Sequence, residues 1–307
     1  MIYELYNGDA DENAMLLHES FAECCAMNFN EFSDNMIMVE DEKIFDDLEA
    51  VKTWYTAPSE ILGNISPEDF ATQKWPDMTF SDALRIIRPF LTDTMFSFPN
   101  EIRALFASFE ESREWSLNMI GEIKERVAAL DDSEMFITVF TSFVDLCMTN
   151  EDKSVNAALL DLFKCLNDEN VEYYDGPFED IIMTLAAKES ALPLLIDYVN
   201  NAEDLDYNVF STVSAIALSE NKSDEIYRML RTCTKRAAIE LKTMFYDVFL
   251  DYGDARAISF LRTCAQKHLE TIRRLDLSED EKKDDTLAFK KACYVIKELG
   301  GNIEDLL

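Results

Sequence analysis

Glycine and proline are both scarce in this chain, at seven each in 307 residues. A turn-rich all-β fold needs more of both, so the scarcity points to helices joined by short polar links. Histidine is scarcer still: only His18 and His268 are present, which leaves little for imidazole chemistry. Bases are outnumbered as well, with 28 Lys and Arg against 61 Asp and Glu and a net charge of −33. Such a field repels nucleic-acid phosphates and anionic membranes, so direct binding to either is not expected. No apolar run is long enough to span a bilayer. The opening Met1–Asp9 has neither the basic start nor the apolar stretch of a signal peptide, and a cytoplasmic protein is expected.

Paired cysteines are also missing. The seven (Cys24, Cys25, Cys147, Cys165, Cys233, Cys264 and Cys293) are odd in number, with no Cys-x-x-Cys spacing, and fit reduced thiols within helices. No Glu-x-x-His pair, glycine-rich phosphate loop or nucleophile elbow occurs. Asp9-x-Asp11-x-Asn13 opens like a calcium loop, yet Ala14 and Ser20 stand where the sharp turn and the bidentate carboxylate are needed. His18, near Glu19, Glu23 and Cys25, lacks distinctive ligand spacing. The expectation is a non-enzymatic chain with no cofactor and no metal.

What is abundant is apolar periodicity, with hydrophobic residues at 48% of the chain. Three regions differ in texture. Residues 1–57 form an acidic N-terminal region, with one helix expected over residues 14–27, a strand or helix start at 36–39, and a helix carrying Ile44, Leu48, Val51 and Tyr55. Residues 58–99 are a Pro/aromatic-rich connecting segment holding five of the seven prolines. Proline forbids long helices there, while Trp75, Phe80, Phe90, Phe96 and Phe98 argue against a floppy linker. Short helices are expected, one of them near residues 81–87, packed against the end of the repeat region.

Residues 100–307 read as a helical repeat domain. Ile102, Leu105 and Phe106 mark one helix, and Leu117, Ile120, Ile123 and Val127 the next. Phe136, Val139, Phe140, Phe143 and Cys147 form a third stripe, answered by Val155, Leu159, Leu162 and Leu166. Asp175-Gly176-Pro177 reads as a helix start with proline in its first turn. Breaks at 188–190, 220–222 and 252–253 separate later helices, and Ser278 with Glu281 suits a capping box before a last helix ending at Gly300-Gly301. Two cores echo one another 31 residues apart: Met229-Leu230-Arg231-Thr232-Cys233 and Phe260-Leu261-Arg262-Thr263-Cys264. Leu185, Leu218 and Leu250, each before a break, recur at 33 and 32. Periods in this range mark stacked helix pairs.

In its spacing and helix–turn–helix pattern, the stretch 100–300 resembles the HEAT and armadillo class of α-solenoid repeats. That resemblance implies an all-α stack of antiparallel helix pairs that binds other macromolecules, usually proteins. It supplies no catalytic residues.

Charge singles out one stretch. Residues 1–200 hold 41 acids and 12 bases, whereas 228–274 hold ten bases and five acids. Equivalent positions in adjacent repeats would set Arg231 beside Arg262, with Arg228 and Lys235 flanking at helical spacing and Arg256 nearby. Such a row suits an acidic peptide or phosphate, and the competing expectation is pairing within the protein or a plain solvated face. The resulting functional expectation is a scaffold or adaptor for a protein or peptide partner, itself basic if the bulk acidity attracts it. The alternative is an acidic nucleic-acid mimic or inhibitor of the phage type, filling a basic nucleic-acid-binding cleft. An enzyme resembling helical-repeat alkylpurine DNA glycosylases ranks last, since Trp54, Trp75 and Trp115 fall outside the best repeats.

Overall fold

The structure is a computed structural model describing residues 47–60, 62–88, 98 and 100–306. The helix expected over 14–27, the segment 36–39, the Asp9–Asn13 motif, His18, Cys24, Cys25, Ile44, Phe90 and Phe96 lie outside the described residues. The described residues are all-α: fourteen α-helices and two short 3-10 turns, with no strand beyond an isolated bridge between Ser59 and Ile65. None of these helices is long and apolar enough to cross a membrane. The chain divides into two compact units, up to Thr184 and from Leu185.

In the first unit, one helix at the end of the acidic N-terminal region and two short helices in the proline-rich stretch are each started by a side-chain cap. Asp47 accepts from the backbone N–H groups of Glu49 and Ala50 at 3.0 and 2.9 Å and opens α1 (Leu48–Thr56). Ser66 caps α2 (Pro67–Ala71), whose first residue is a proline with no N–H to leave orphaned. A reciprocal box between Thr79 and Asp82 starts α3 (Phe80–Ile87). The apolar sides of these pieces share one core with α4 (Asn100–Ala107): Leu62, Phe70, Ile86, Phe98, Ile102 and Phe106 pack together, with Trp54, Trp75 and Trp115 against them. Phe106 and Trp115 meet edge to face at 5.4 Å, a favoured ring geometry.

Next come α5 (Glu111–Ala128), α6 (Glu134–Leu146), α7 (Lys153–Phe163) and α8 (Val171–Ala187). Alternate helices touch, α4 with α6 and α5 with α7. The α6 and α7 stripes are buried as the periodicity predicts. In α5 the buried side runs through Ser112, Ser116, Met119, Ile120, Ile123 and Val127, leaving Leu117 only half-buried.

One expectation is corrected. Pro177 does not open its helix; α8 begins at Val171 and carries the proline inside. Tyr174 decides this. It is fully buried, its hydroxyl donates to the Asp131 carbonyl at 2.8 Å, and its ring meets Phe136 edge-on at 6.0 Å. Burying that aromatic in the turn before the proline offsets the roughly 3 kcal/mol that an interior proline costs.

The second unit contains the end of α8, then α9 (Leu192–Asn201), α10 (Tyr207–Leu218), α11 (Asp224–Arg236), α12 (Lys242–Tyr252), α13 (Ala257–Ile272) and α14 (Lys283–Glu298). α9 packs on α10, α10 on α11, α11 on α12 and α13 on α14, and alternate helices pack as well: α9 with α11, α10 with α12, and α12 with α14. The breaks fall where the sequence places them. Gly253 ends α12 at φ 69°, a left-handed conformation that glycine adopts without a Cβ clash. The Ser278–Glu281 box forms, with both Ser278 N–H and its hydroxyl donating to the Glu281 carboxylate at 2.8 Å. The regular helix starts two residues later, at Lys283.

Helix ends in this unit are closed by the links between helices. Asn221 donates to the Ala186 carbonyl at 3.2 Å and Lys222 to Ala217 at 2.8 Å. Lys242 donates to Thr234 and Ala237 at 2.8 and 2.9 Å. Each bond satisfies a carbonyl that a helix C-terminus leaves orphaned.

Candidate functional site

The two echoed pentapeptides sit on α11 and α13 with similar burial, though α11 packs on α9, α10 and α12 and α13 chiefly on α14. Met229, Leu230 and Cys233 are buried, as are Phe260 and Leu261, while Cys264 is half-buried. Thr232 and Thr263 are exposed, and each donates its hydroxyl to the carbonyl four residues back, Arg228 at 2.9 Å and Ser259 at 3.1 Å. Arg231 and Arg262 are both half-buried at the corresponding place. Their partners differ.

Arg262 is tied within the protein, donating to the Asn302 carbonyl and the Asp305 carboxylate. That pairing holds Asp305 below the usual carboxylate range. Arg256 is likewise engaged, bridging Asp254 and Asp224, both at 2.6 Å, with its guanidinium 4.9 Å from the Tyr227 ring centre. These two arginines match the expectation of internal pairing, with partners in their own unit.

Arg231 has no such carboxylate. Its guanidinium lies over two rings, 5.7 Å from Tyr227 and 5.2 Å from Phe260, so α11 and α13 are linked by an arginine sandwiched on aromatics. Contacts of this kind are worth roughly 0.5–2 kcal/mol each, more when water is excluded. Its Nε is buried with no hydrogen-bond partner. Arg228 and Lys235, three residues before and four after, share its side of α11, are exposed, and have no ion pair. The structure thus groups Arg228, Arg231 and Lys235 as unpaired cations and sets Arg256 and Arg262 apart as paired ones.

Three residues that sequence reasoning missed complete the face. Tyr227 orients Arg231 and Arg256 and donates its hydroxyl to the Arg256 carbonyl at 2.9 Å; its spacing of four before Arg231 is the available signal. Phe260 reads from sequence only as an apolar core residue. Lys267 on α13 is exposed and unpaired, and lies 31 residues after Arg236, within the repeat period.

Beside the face lies a polar chain. His268, 5% exposed, has Nε2 2.7 Å from the Tyr246 hydroxyl and Nδ1 2.6 Å from Asp285. The imidazole is thus hydrogen-bonded at both nitrogens and buried in the core. Burial pushes the Tyr246 phenol far above its ordinary range, with Cys264 and Asp285 adding to the rise. Burial also raises the Cys264 thiol, against the opposing pull of Tyr246, Lys242, Lys267 and Lys235. The thiol is therefore kept protonated and unreactive. Among the described residues, no group of three or more His, Cys, Asp or Glu side chains is placed to hold a metal ion.

Compared with known proteins, the chain matches no family model, no curated protein and no solved structure.

Proposed function

We propose that this chain is a HEAT-like helical-repeat scaffold that binds a protein partner and performs no chemistry of its own. One observation carries the reading: the two pentapeptides 31 residues apart repeat the burial of their first two residues, the half-burial of the arginine and the threonine back-bond on α11 and α13. Stacked repeats reproduce one environment at a fixed period, and their recurring outer positions make an extended surface for another macromolecule. The contacts between alternate helices α10, α12 and α14 support the same arrangement. The enclosure of His268 between Tyr246 and Asp285 supports a structural rather than catalytic imidazole.

The test is affinity capture with the full chain in the cytoplasmic setting we infer for it, comparing wild type with the double reversal Arg231→Glu, Arg262→Glu. A stoichiometric protein partner that is lost in the double variant is the expected result. Retention of that partner by the variant moves the binding surface elsewhere. A basic nucleic-acid-binding protein released by moderate salt would favour the mimicry alternative, and recovery of no stoichiometric protein refutes the scaffold.

A further inference from the structure

We propose that Arg228, Arg231, Lys235 and Lys267 form a strip that docks an extended, carboxylate-rich peptide segment of a protein partner. This deepens, and rests on, the scaffold reading above. In a chain of net charge −33, Arg228, Arg231, Lys235 and Lys267 stand on this face without an ion pair, so their charge is left for a ligand. Arg256 and Arg262 show what quenching looks like here.

Arg231 is the centre of the strip. The Tyr227 and Phe260 rings hold its guanidinium in place before any ligand arrives, so little side-chain entropy remains to be lost on binding. Its Nε faces the interior, and its two terminal nitrogens make no hydrogen bond. Those two N–H groups present the end-on fork that matches both oxygens of a carboxylate. The thiol of Cys264 lies in the field of Lys235, Lys242 and Lys267, which extends the positive region from α11 onto α13.

Spacing selects the ligand. At 1.5 Å of rise per residue, Arg228 and Lys235 are separated by about 10 Å along α11 and lie within about 60° of arc with Arg231. One phosphate or one small anion cannot span that length. An extended peptide places side chains of one face roughly 6.5–7 Å apart, so two or three acids at alternate positions cover the strip. A nucleic-acid backbone has comparable spacing, but it runs on into the acidic surroundings. A short acidic segment ends within the strip, and beyond a Debye length of about 8 Å the rest of the charge is screened.

The experiment is fluorescence anisotropy on the full chain with a labelled ten-residue peptide of alternating Glu and Ser, and its Gln counterpart as control. Wild type is expected to bind the Glu peptide, to weaken as salt rises, and to ignore the Gln peptide. Arg231→Gln should weaken binding about tenfold or more, as loss of a charge-assisted bidentate contact does. Because Arg231 is packed on two rings, the exposed pair Arg228→Glu, Lys235→Glu supplies a variant whose fold is not at stake, and it should abolish binding. Arg85→Gln, in the first unit and paired there with Asp82, should change affinity less than about twofold, since surface pairs contribute little beyond themselves. The strip is refuted if the Arg228→Glu, Lys235→Glu variant binds as wild type does, if the Gln peptide binds equally, or if a single-stranded oligonucleotide binds more tightly than the peptide. The two readings fail separately: an unmoved affinity removes the strip and leaves the scaffold, whereas absence of any captured protein removes the scaffold and leaves the peptide result standing.

Discussion

Truncating Leu230 and Leu261 to alanine tests the repeat at its most demanding point. Both side chains are essentially inaccessible, at 1% and 0% exposure, and occupy the same place in their pentapeptides. Each substitution deletes three carbons, worth about 2.4 kcal/mol at roughly 0.8 kcal/mol per buried methylene. The cavity left behind adds to this, so each variant should lose about 2–5 kcal/mol. If the surroundings correspond as the matching burial and back-bonds indicate, the two losses should agree to within about 1 kcal/mol. Thr232→Ala, at an exposed position, should change stability by less than about 0.5 kcal/mol. Urea unfolding monitored by far-ultraviolet circular dichroism reads all three. A loss below 1 kcal/mol at either leucine would refute the packing, and a large loss at one alone would refute the equivalence.

Gly121→Ala in α5 has open space around the added carbon and should stabilise by about 0.5–1 kcal/mol, whereas Gly301→Ala puts a carbon 2.7 Å from Ile296 and 2.9 Å from Ile258 and should cost about 1–3 kcal/mol; thermal melts rank them. Asp145→Ala strips the carboxylate that accepts from Arg103, itself only 7% exposed, and from the Phe98 N–H. A loss of about 3–5 kcal/mol in denaturant is expected, and a loss under 1 kcal/mol would mean that the pair is not desolvated. Burial pushes the Cys233 thiol up to about 11 from an ordinary 9, favouring the neutral form in the folded state. Its contribution is therefore fully present below pH 9 and is lost as pH rises through about 11, roughly 2–3 kcal/mol in all. Cys233→Ala should flatten that part of the alkaline stability curve measured in urea.

Helix type and most breaks are legible because the apolar spacing in this chain is strong and its glycines are few. The α6 stripe from Phe136 to Cys147 is buried throughout. Gly253 ends α12 where its position suggests. Pro177 misleads because local rules weigh the proline alone, and only the fold reveals that Tyr174 finds Phe136 and the Asp131 carbonyl. Of the candidate face, sequence supplies the cations but not their state of pairing. Arg262 is neutralised by Asp305, 43 residues away, and Arg256 by Asp224, 32 residues before it. Separations of that size are set by how helices pack, which spacing along one helix does not encode.

The imidazole of His268 has a consequence for motion. It belongs to α13, yet bonds Tyr246 of α12 on one side and Asp285 of α14 on the other. None of the three segments can fray independently without breaking a bond that is shielded from solvent. Native-state amide exchange should therefore find their slowest protons opening together, as a single cooperative block with a common opening free energy.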